Sequence, residues 1–258
     1  MKVKEIANII EKSAPKELAY SFDNVGLLLG SMENEVNKIL ITLDTNLITV
    51  KEAVKLGCDM ILSHHPILFR GIKRVDYDTP TGEMLKLLIQ NNISVYAAHT
   101  NMDTAPCGIN TRLAEIFNLE NVKNLEQHTE RTDSGLGRFG DLKEEITLKE
   151  LCDIVKEKLK TPGLRVTGDL NRKINRLCVA GGSCSECIEN AIQNKCDAII
   201  TGDIKYHEAI DFTESGICII DAGHYPTEIM VMEIFENLIK NSGVQYEFSK
   251  NRDIFIFM

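Results

Sequence analysis

Apolar positions along this chain alternate between a helical spacing and short β-branched runs. From Lys4 to Ile10, the apolar residues Ile6, Ile9 and Ile10 keep a helical period, and Pro15 closes that helix. Asp23-Asn24-Val25-Gly26-Leu27-Leu28-Leu29-Gly30 reads as a turn entering a short strand, and Lys38 to Asp44 as a β-branched strand. Leu47 to Leu56 is helical and stops at Gly57, the residue that most readily takes the left-handed turn ending a helix. Asp59 to Ser63 predicts the next strand, Thr81 to Gln90 a helix, and Ile93 to Ala98 a further strand running into His99-Thr100-Asn101-Met102-Asp103. Strands alternating with helices of this length predict βαβ units and a largely parallel sheet.

The second half repeats the plan. Lys149 to Val155 resembles Lys4 to Ile10, and Leu177-Cys178-Val179-Ala180 matches Ile39-Leu40-Ile41-Thr42. Lys195 to Asp203 matches Gly57 to His65, and Ile217 to His224 matches the strand that ends at His99. The expected fold is therefore α/β: a duplicated α/β unit with largely parallel or mixed sheets and two pseudo-symmetric halves. The predicted copies span residues 1–135 and 136–258, breaking near Thr132 to Arg138. In this pairing His64-His65 fall opposite Gly202-Asp203, and His99 with Asp103 falls opposite His224 with Glu228. Carboxyl ends of parallel strands are where open α/β folds build their sites.

Composition narrows the partners. With 258 residues, 43% of them apolar and 26% charged, the chain can bury a core and matches a soluble globular protein. A formal net charge of −9 argues against a generally basic surface for nucleic acid or membranes. No apolar run is long enough to span a bilayer, and Met1 to Asn8 does not read as a signal peptide, so a cytoplasmic location is expected. Cysteines such as Cys58, Cys178, Cys196 and Cys218 sit in or beside strand-like runs and read as small buried hydrophobes in a reducing compartment.

The chemistry gathers at the strand ends. Ile61-Leu62-Ser63-His64-His65-Pro66 places two of only six histidines side by side. The candidate ligands are His64, His65, His99, Asp103, Asp203, His207, His224 and Glu228. His99 with Asp103 and His224 with Glu228 are spaced i,i+4, so each pair shares one face of a helix, and Pro226 suits a first helical turn. Imidazoles with carboxylates match a site for zinc, iron, manganese, nickel or cobalt. Adjacent residues point apart, so His64 and His65 suit two neighbouring ions, with Glu228 or Asp103 as bridge. Two such ions activate water and stabilise an attacked centre together. Other signals are weaker. Cys184-Ser185-Glu186-Cys187 is a lone CxxC at a predicted helix start, and Gly181-Gly182-Ser183 reads as a strand-to-helix turn without the rest of a phosphate-binding fingerprint. Arg70, Lys73 and Arg74 form a basic loop, either solvated or meeting a phosphorylated ligand or nucleic acid.

Ser63-His64-His65-Pro66, Ala98 to Asp103, Thr201-Gly202-Asp203 and Gly223-His224-Tyr225-Pro226-Thr227-Glu228 resemble the NGG-interacting-factor-three-like family, also catalogued as GTP cyclohydrolase I type 2 homologs. Asp23-Asn24-Val25-Gly26-Leu27 and Leu43-Asp44-Thr45 resemble its amino-terminal motifs, and the match runs in order through essentially the whole chain. The resemblance implies a toroidal homohexamer with a dinuclear centre of two divalent ions per subunit. His64 and Asp103 would hold one ion and His65 and His224 the other, with Glu228 bridging and His99 near the centre but outside the ligand set. It also implies a metal-dependent hydrolase, such as one opening the guanine ring of GTP or cleaving a phosphoester, in which His99, Asp203 or His207 would move protons. The alternative is a non-catalytic ring that binds a protein or nucleic acid partner through structural or sensory metals.

Overall fold

A computed structural model describes residues 1–128, 131–250, 252–256 and 258. Along the chain the first elements are helix α1 (Val3–Ser13), strands β1 (Gly26–Leu29) and β2 (Lys38–Thr42), α2 (Leu47–Leu56), β3 (Met60–Ser63), α3 (Pro80–Gln90), β4 (Ser94–Ala97) and α4 (Thr100–Thr104). There follow α5 (Ile109–Ile116), β5 (Glu120–Gln127), β6 (Gly135–Thr147), α6 (Leu148–Leu159), β7 (Arg165–Thr167) and β8 (Lys173–Ser183). The remainder is α7 (Cys187–Gln193), β9 (Ala198–Gly202), α8 (Tyr206–Glu214), β10 (Cys218–Asp221), α9 (His224–Glu228), α10 (Val231–Ile239) and β11 (Gln245–Phe248).

Local chemistry accounts for several boundaries. The Asn46 side chain caps α2 by accepting from the Thr49 amide at 3.0 Å, and Gly57 ends it in the left-handed region at φ 64°. Thr79 caps α3 with Pro80 at its first turn, where a missing amide hydrogen costs nothing. Thr147 and Glu150 form a reciprocal capping box at the start of α6.

The chain forms two compact units. The first comprises Met1–Met102 and Val231–Arg252; the second comprises Asp103–Met230 and Asp253–Met258. The first unit holds a five-stranded sheet in the order β1-β4-β3-β2-β11, parallel from β4 to β11 with β1 antiparallel at the edge. Its strands β2 and β3 are apolar and almost wholly buried, as parallel strands covered on both faces must be. Leu40, Ile61 and Val95 pack with Val50 and Ala53 of α2 and Met84 and Leu88 of α3. The second unit holds a six-stranded mixed sheet, β5-β6-β8-β9-β10-β7. Here β8, β9 and β10 are parallel, while β7 runs antiparallel on β10 and β6 antiparallel on β8.

Each unit thus contains a helix, an antiparallel edge strand and three parallel strands with helical crossovers, in the same order. The expected α/β class with mixed sheets is what forms. Compactness, however, does not divide the chain at 135/136. Residues 132–138 lie in and beside the β5–β6 hairpin of the second unit, and β11 returns to pair with β2 of the first. The long antiparallel β5–β6 pair and the carboxyl-terminal strand lie outside the repeated pattern, and the repeat carried no signal for them.

The CxxC pair departs from the other cysteines. Cys184 and Cys187 form a disulfide with Cα atoms 5.4 Å apart, within the span a disulfide bridges. The amide of Cys187 donates to the Cys184 carbonyl at 3.1 Å, so the turn into α7 brings the pair together. Cys58, Cys178, Cys196 and Cys218 are free and buried, as small hydrophobes should be.

Candidate metal centre

In the first unit, the chain leaves β3 still paired to its neighbour. The amide of His65 donates to Leu43 O at 2.9 Å and that of Ala98 to Ser63 O at 3.0 Å, so the ladder continues past the assigned strand ends. This fixes the backbone of the His64-His65 pair. His64 is fully buried; its Nδ1 lies 2.8 Å from the carbonyl oxygen of Ala98. A carbonyl only accepts, so Nδ1 carries the proton and Nε2 keeps the lone pair. His65 Nδ1 sits 2.7 Å from Asp44 Oδ1, and His99 Nδ1 sits 2.9 Å from Asp23 Oδ1. All three rings are therefore oriented through Nδ1 and offer Nε2. The ring centroids of His64, His65 and His99 are 5.0–5.4 Å apart, and potential ligand atoms of the three lie within 4.8 Å of one another.

Asp23 is more than an incidental partner of His99. Its carboxylate also accepts from the Thr100 amide at 3.0 Å and the Thr100 hydroxyl at 2.5 Å. Burial alone would raise its pKa, but the hydrogen bonds from His99 and Thr100 outweigh burial and hold it well below the usual carboxylate range.

In the second unit, α9 carries the expected i,i+4 pair on one face: His224 Nε2 lies 3.0 Å from Glu228 Oε2. His224 Nδ1 rests on Asp203 Oδ2 at 2.8 Å. Glu228 and Asp103 are buried, at 3% and 7% exposure, an environment in which carboxylates are seldom found without a cation or hydrogen bonds. The Asp103 carbonyl accepts from Asn110 Nδ2 at 3.0 Å, and the oxygen of the same side-chain amide, Asn110 Oδ1, accepts from the Gly181 amide. Gly182, at φ 66°, makes room for the carboxylate: a Cβ there would lie 2.1 Å from Glu228 Oε1 and 3.3 Å from His224 Nε2. Gly181 and Gly182 therefore lie within β8, not in a strand-to-helix turn, and Gly182 leaves room for the Glu228 carboxylate.

Of the remaining candidates, Asp203 is exposed and orients His224. His207 is exposed on the first turn of α8, its ring beside Tyr206 at 5.5 Å, and it joins none of the ligand clusters among the described residues. The parts that residue-by-residue reading passed over are Asp44, Asp23 and Gly182. The two aspartates did stand in the motifs that carried the family resemblance. Their roles depend on which nitrogen of which ring they meet, and sequence spacing holds no record of that.

The donors fit a divalent-metal site: imidazoles oriented through Nδ1, buried carboxylates, and a glycine cleared for one of them. Histidines and acids gathered at strand ends define an α/β protein with a candidate metal site. The chain belongs to the Duf34/NIF3 (NGG1p interacting factor 3) family, whose model matches residues 1–253. It is similar to the "GTP cyclohydrolase 1 type 2 homolog" of Clostridium acetobutylicum, 42% identical over 249 residues that cover 95% of this chain and 93% of that protein. The protein of the same description from Methanocaldococcus jannaschii is 34% identical over 244 residues, covering 94% and 96%. Among solved structures, a Bacillus cereus protein related to NIF3 matches with a TM-score of 0.93 at 26% identity over 100% of this chain and 99% of that one. Reduced HcgD from Methanocaldococcus jannaschii matches with a TM-score of 0.83 at 33% identity over 97% and 98%. Among the described residues no helix is long and apolar enough to cross a membrane.

Proposed function

We propose that this chain is a metal-dependent hydrolase that uses two divalent ions, with His64, His65, Asp103, His224 and Glu228 as ligands. The assignment gives His64 and Asp103 to one ion, His65 and His224 to the other, and the bridging position to Glu228. The observation that carries it is the treatment of the ligand imidazoles: His64, His65 and His224 each have Nδ1 against an acceptor at 2.7–2.8 Å, the arrangement that prepares Nε2 for a metal. Bound divalent ions would supply Lewis acidity and an activated water. The chain's own groups set the rest. Asp44 and Asp203 fix the rings of His65 and His224, and Gly182 leaves space for the Glu228 carboxylate. His99, oriented by Asp23, would move a proton through Nε2; His207, exposed on α8, is a weaker candidate for that work.

The relatives' description as GTP cyclohydrolase homologs supports a nucleotide substrate, with hydrolytic opening of the guanine ring as the reaction. The assembly proposed is a cytoplasmic homohexameric ring. Exposed apolar residues at the carboxyl terminus support association, since Ile254, Phe255 and Ile256 are 66–86% exposed. The test is elemental analysis of the purified protein, followed by product analysis with GTP and a panel of phosphoesters. Bound divalent ions together with a ring-opened or dephosphorylated product are expected. No turnover with any divalent ion, while the oligomer survives metal removal, would favour the non-catalytic scaffold.

A further inference from the structure

We infer that the loop before β1 and the loop after β3 together form a stacking ledge for the planar heteroaromatic ring of a small phosphorylated ligand, a nucleotide. The ledge consists of Phe22 and Phe69, backed by Tyr20, and Arg70, Lys73 and Arg74 supply the charge for the phosphate. This deepens the hydrolase reading by naming the residues that would select its substrate.

The rings form a continuous path within the first unit. Tyr20 and Phe22 are parallel, with centroids 5.5 Å apart and an interplanar angle of 8°. Phe22 meets Phe69 edge-on at 6.3 Å, and Phe69 meets the His99 ring edge-on at 6.0 Å. The path leads from solvent to the histidine cluster, yet Phe22 is 64% exposed and Phe69 43% exposed. Two phenylalanines left half in water beside a polar cluster are not core residues; exposed aromatics grouped in this way mark a binding surface.

The bases of both loops are fixed. Asn24 Nδ2 donates to Leu68 O at 2.6 Å, joining one loop to the other. The Tyr20 amide donates to Thr100 Oγ1 at 3.0 Å, and Asp23, next to Phe22, is held by His99 and Thr100. Rigid attachment below with exposed faces above is what a preorganised stacking platform requires. The charge argument is independent of the rings. Arg70, Lys73 and Arg74 are exposed and make no ion pair among the described residues, on a chain whose net charge is −9. Asp76, further along the loop, is turned inward on its own turn, where its Oδ1 accepts from the Asp78 amide. The overall negative charge disfavours a long polyanion, so a mononucleotide is the occupant of choice.

Titration calorimetry on the full chain tests this with three probes: guanosine 5′-monophosphate, guanosine, and ribose 5-phosphate. Phe22→Ala and Phe69→Ala are expected to weaken the two ring-bearing probes roughly tenfold each and to leave ribose 5-phosphate unchanged. Phe22→Tyr should retain binding, which separates stacking from damage to the loop. The triple change Arg70→Ala, Lys73→Ala, Arg74→Ala should weaken the two phosphate-bearing probes and spare guanosine. Wild-type affinity for the monophosphate in Phe22→Ala would overturn the inference, as would no measurable binding of any probe. So would a change of oligomeric mass in Phe22→Ala by light scattering, or tighter binding of a tetranucleotide than of the monophosphate. Metal content and turnover, measured in parallel, belong to the hydrolase reading. Ring-dependent binding without turnover leaves the ledge standing, and turnover indifferent to Phe22 and Phe69 leaves the hydrolase standing.

Discussion

At the end of β3 the chain places two imidazoles, His64 and His65; at the corresponding end of β9 it places Gly202 and Asp203. The supporting backbone is the same in both. Ala98 N donates to Ser63 O at 3.0 Å in the first unit, and Ala222 N donates to Thr201 O at 2.8 Å in the second. That ladder sets the registration more finely than residue matching does. It pairs Ala98 with Ala222, so His99 corresponds to Gly223 and Thr100 to His224, one residue away from the motif pairing. The helices agree, since α4 starts at Thr100 and α9 at His224. The third strand pair differs again. Between Val179 and Ser183, four residues of β8 span what two residues of β9, Ile200 to Gly202, span, so β8 carries two extra residues. That bulge contains Gly182 and brings it against Glu228. A duplicated frame has thus been finished twice: once with paired imidazoles, once with a bulge, a glycine and a buried carboxylate.

The largest expected effect comes from forcing one finish onto the other. A Cβ on Gly202 would lie 2.7–2.9 Å from backbone atoms of Gly223 and His224. Gly202→His, which copies the first unit's residue, should cost at least about 3 kcal/mol in chemical denaturation, because backbone cannot yield as a side chain can. Near-native stability would show that the two strand ends are interchangeable. Gly182→Ala ranks next. Its φ of 66° and the approach to Glu228 Oε1 predict a loss of about 1–3 kcal/mol, with reduced metal content by elemental analysis.

The carboxylates that hold the rings sharpen the comparison with smaller effects. Asp44→Asn and Asp203→Asn should each lower metal affinity by about 10–100-fold in a competition titration with a chromophoric chelator, with little change in the melting temperature of the metal-free protein. Equal losses would mean that the two finishes orient their imidazoles equally well; no loss in either would remove the orienting role. Asp23 gives the smallest effect. Its folded pKa is depressed, so its contribution is present above the unfolded carboxylate pKa and is lost as pH falls through that range. Asp23→Asn should remove on the order of 1 kcal/mol at neutral pH and flatten the acid limb of the stability profile. An unchanged acid limb would contradict it.

Much of this was legible in residue order, for physical reasons. Parallel strands buried on both faces must be short, mostly apolar runs, and β2, β3, β4, β9 and β10 all announce themselves in that way. The His224–Glu228 pair was legible because helical spacing alone places i and i+4 on one face. Strand β5 was not, because Glu120 to Gln127 is mostly polar and only Leu125 is buried. The bulge in β8 was not either, since an inserted Gly-Gly reads equally as a turn. The Nδ1 partners escaped because Asp23 and His99 stand 76 residues apart and meet only through the antiparallel edge strand β1 on β4.

The central claim, that both finishes supply ligands to paired ions, is tested most directly by metal stoichiometry. Elemental analysis of the purified full chain beside its Glu228→Ala and His207→Ala forms should give two divalent ions per chain for the parent and for His207→Ala, and fewer for Glu228→Ala. Full metal content in Glu228→Ala, or none in the parent after purification and reloading with zinc, iron or manganese, would contradict it.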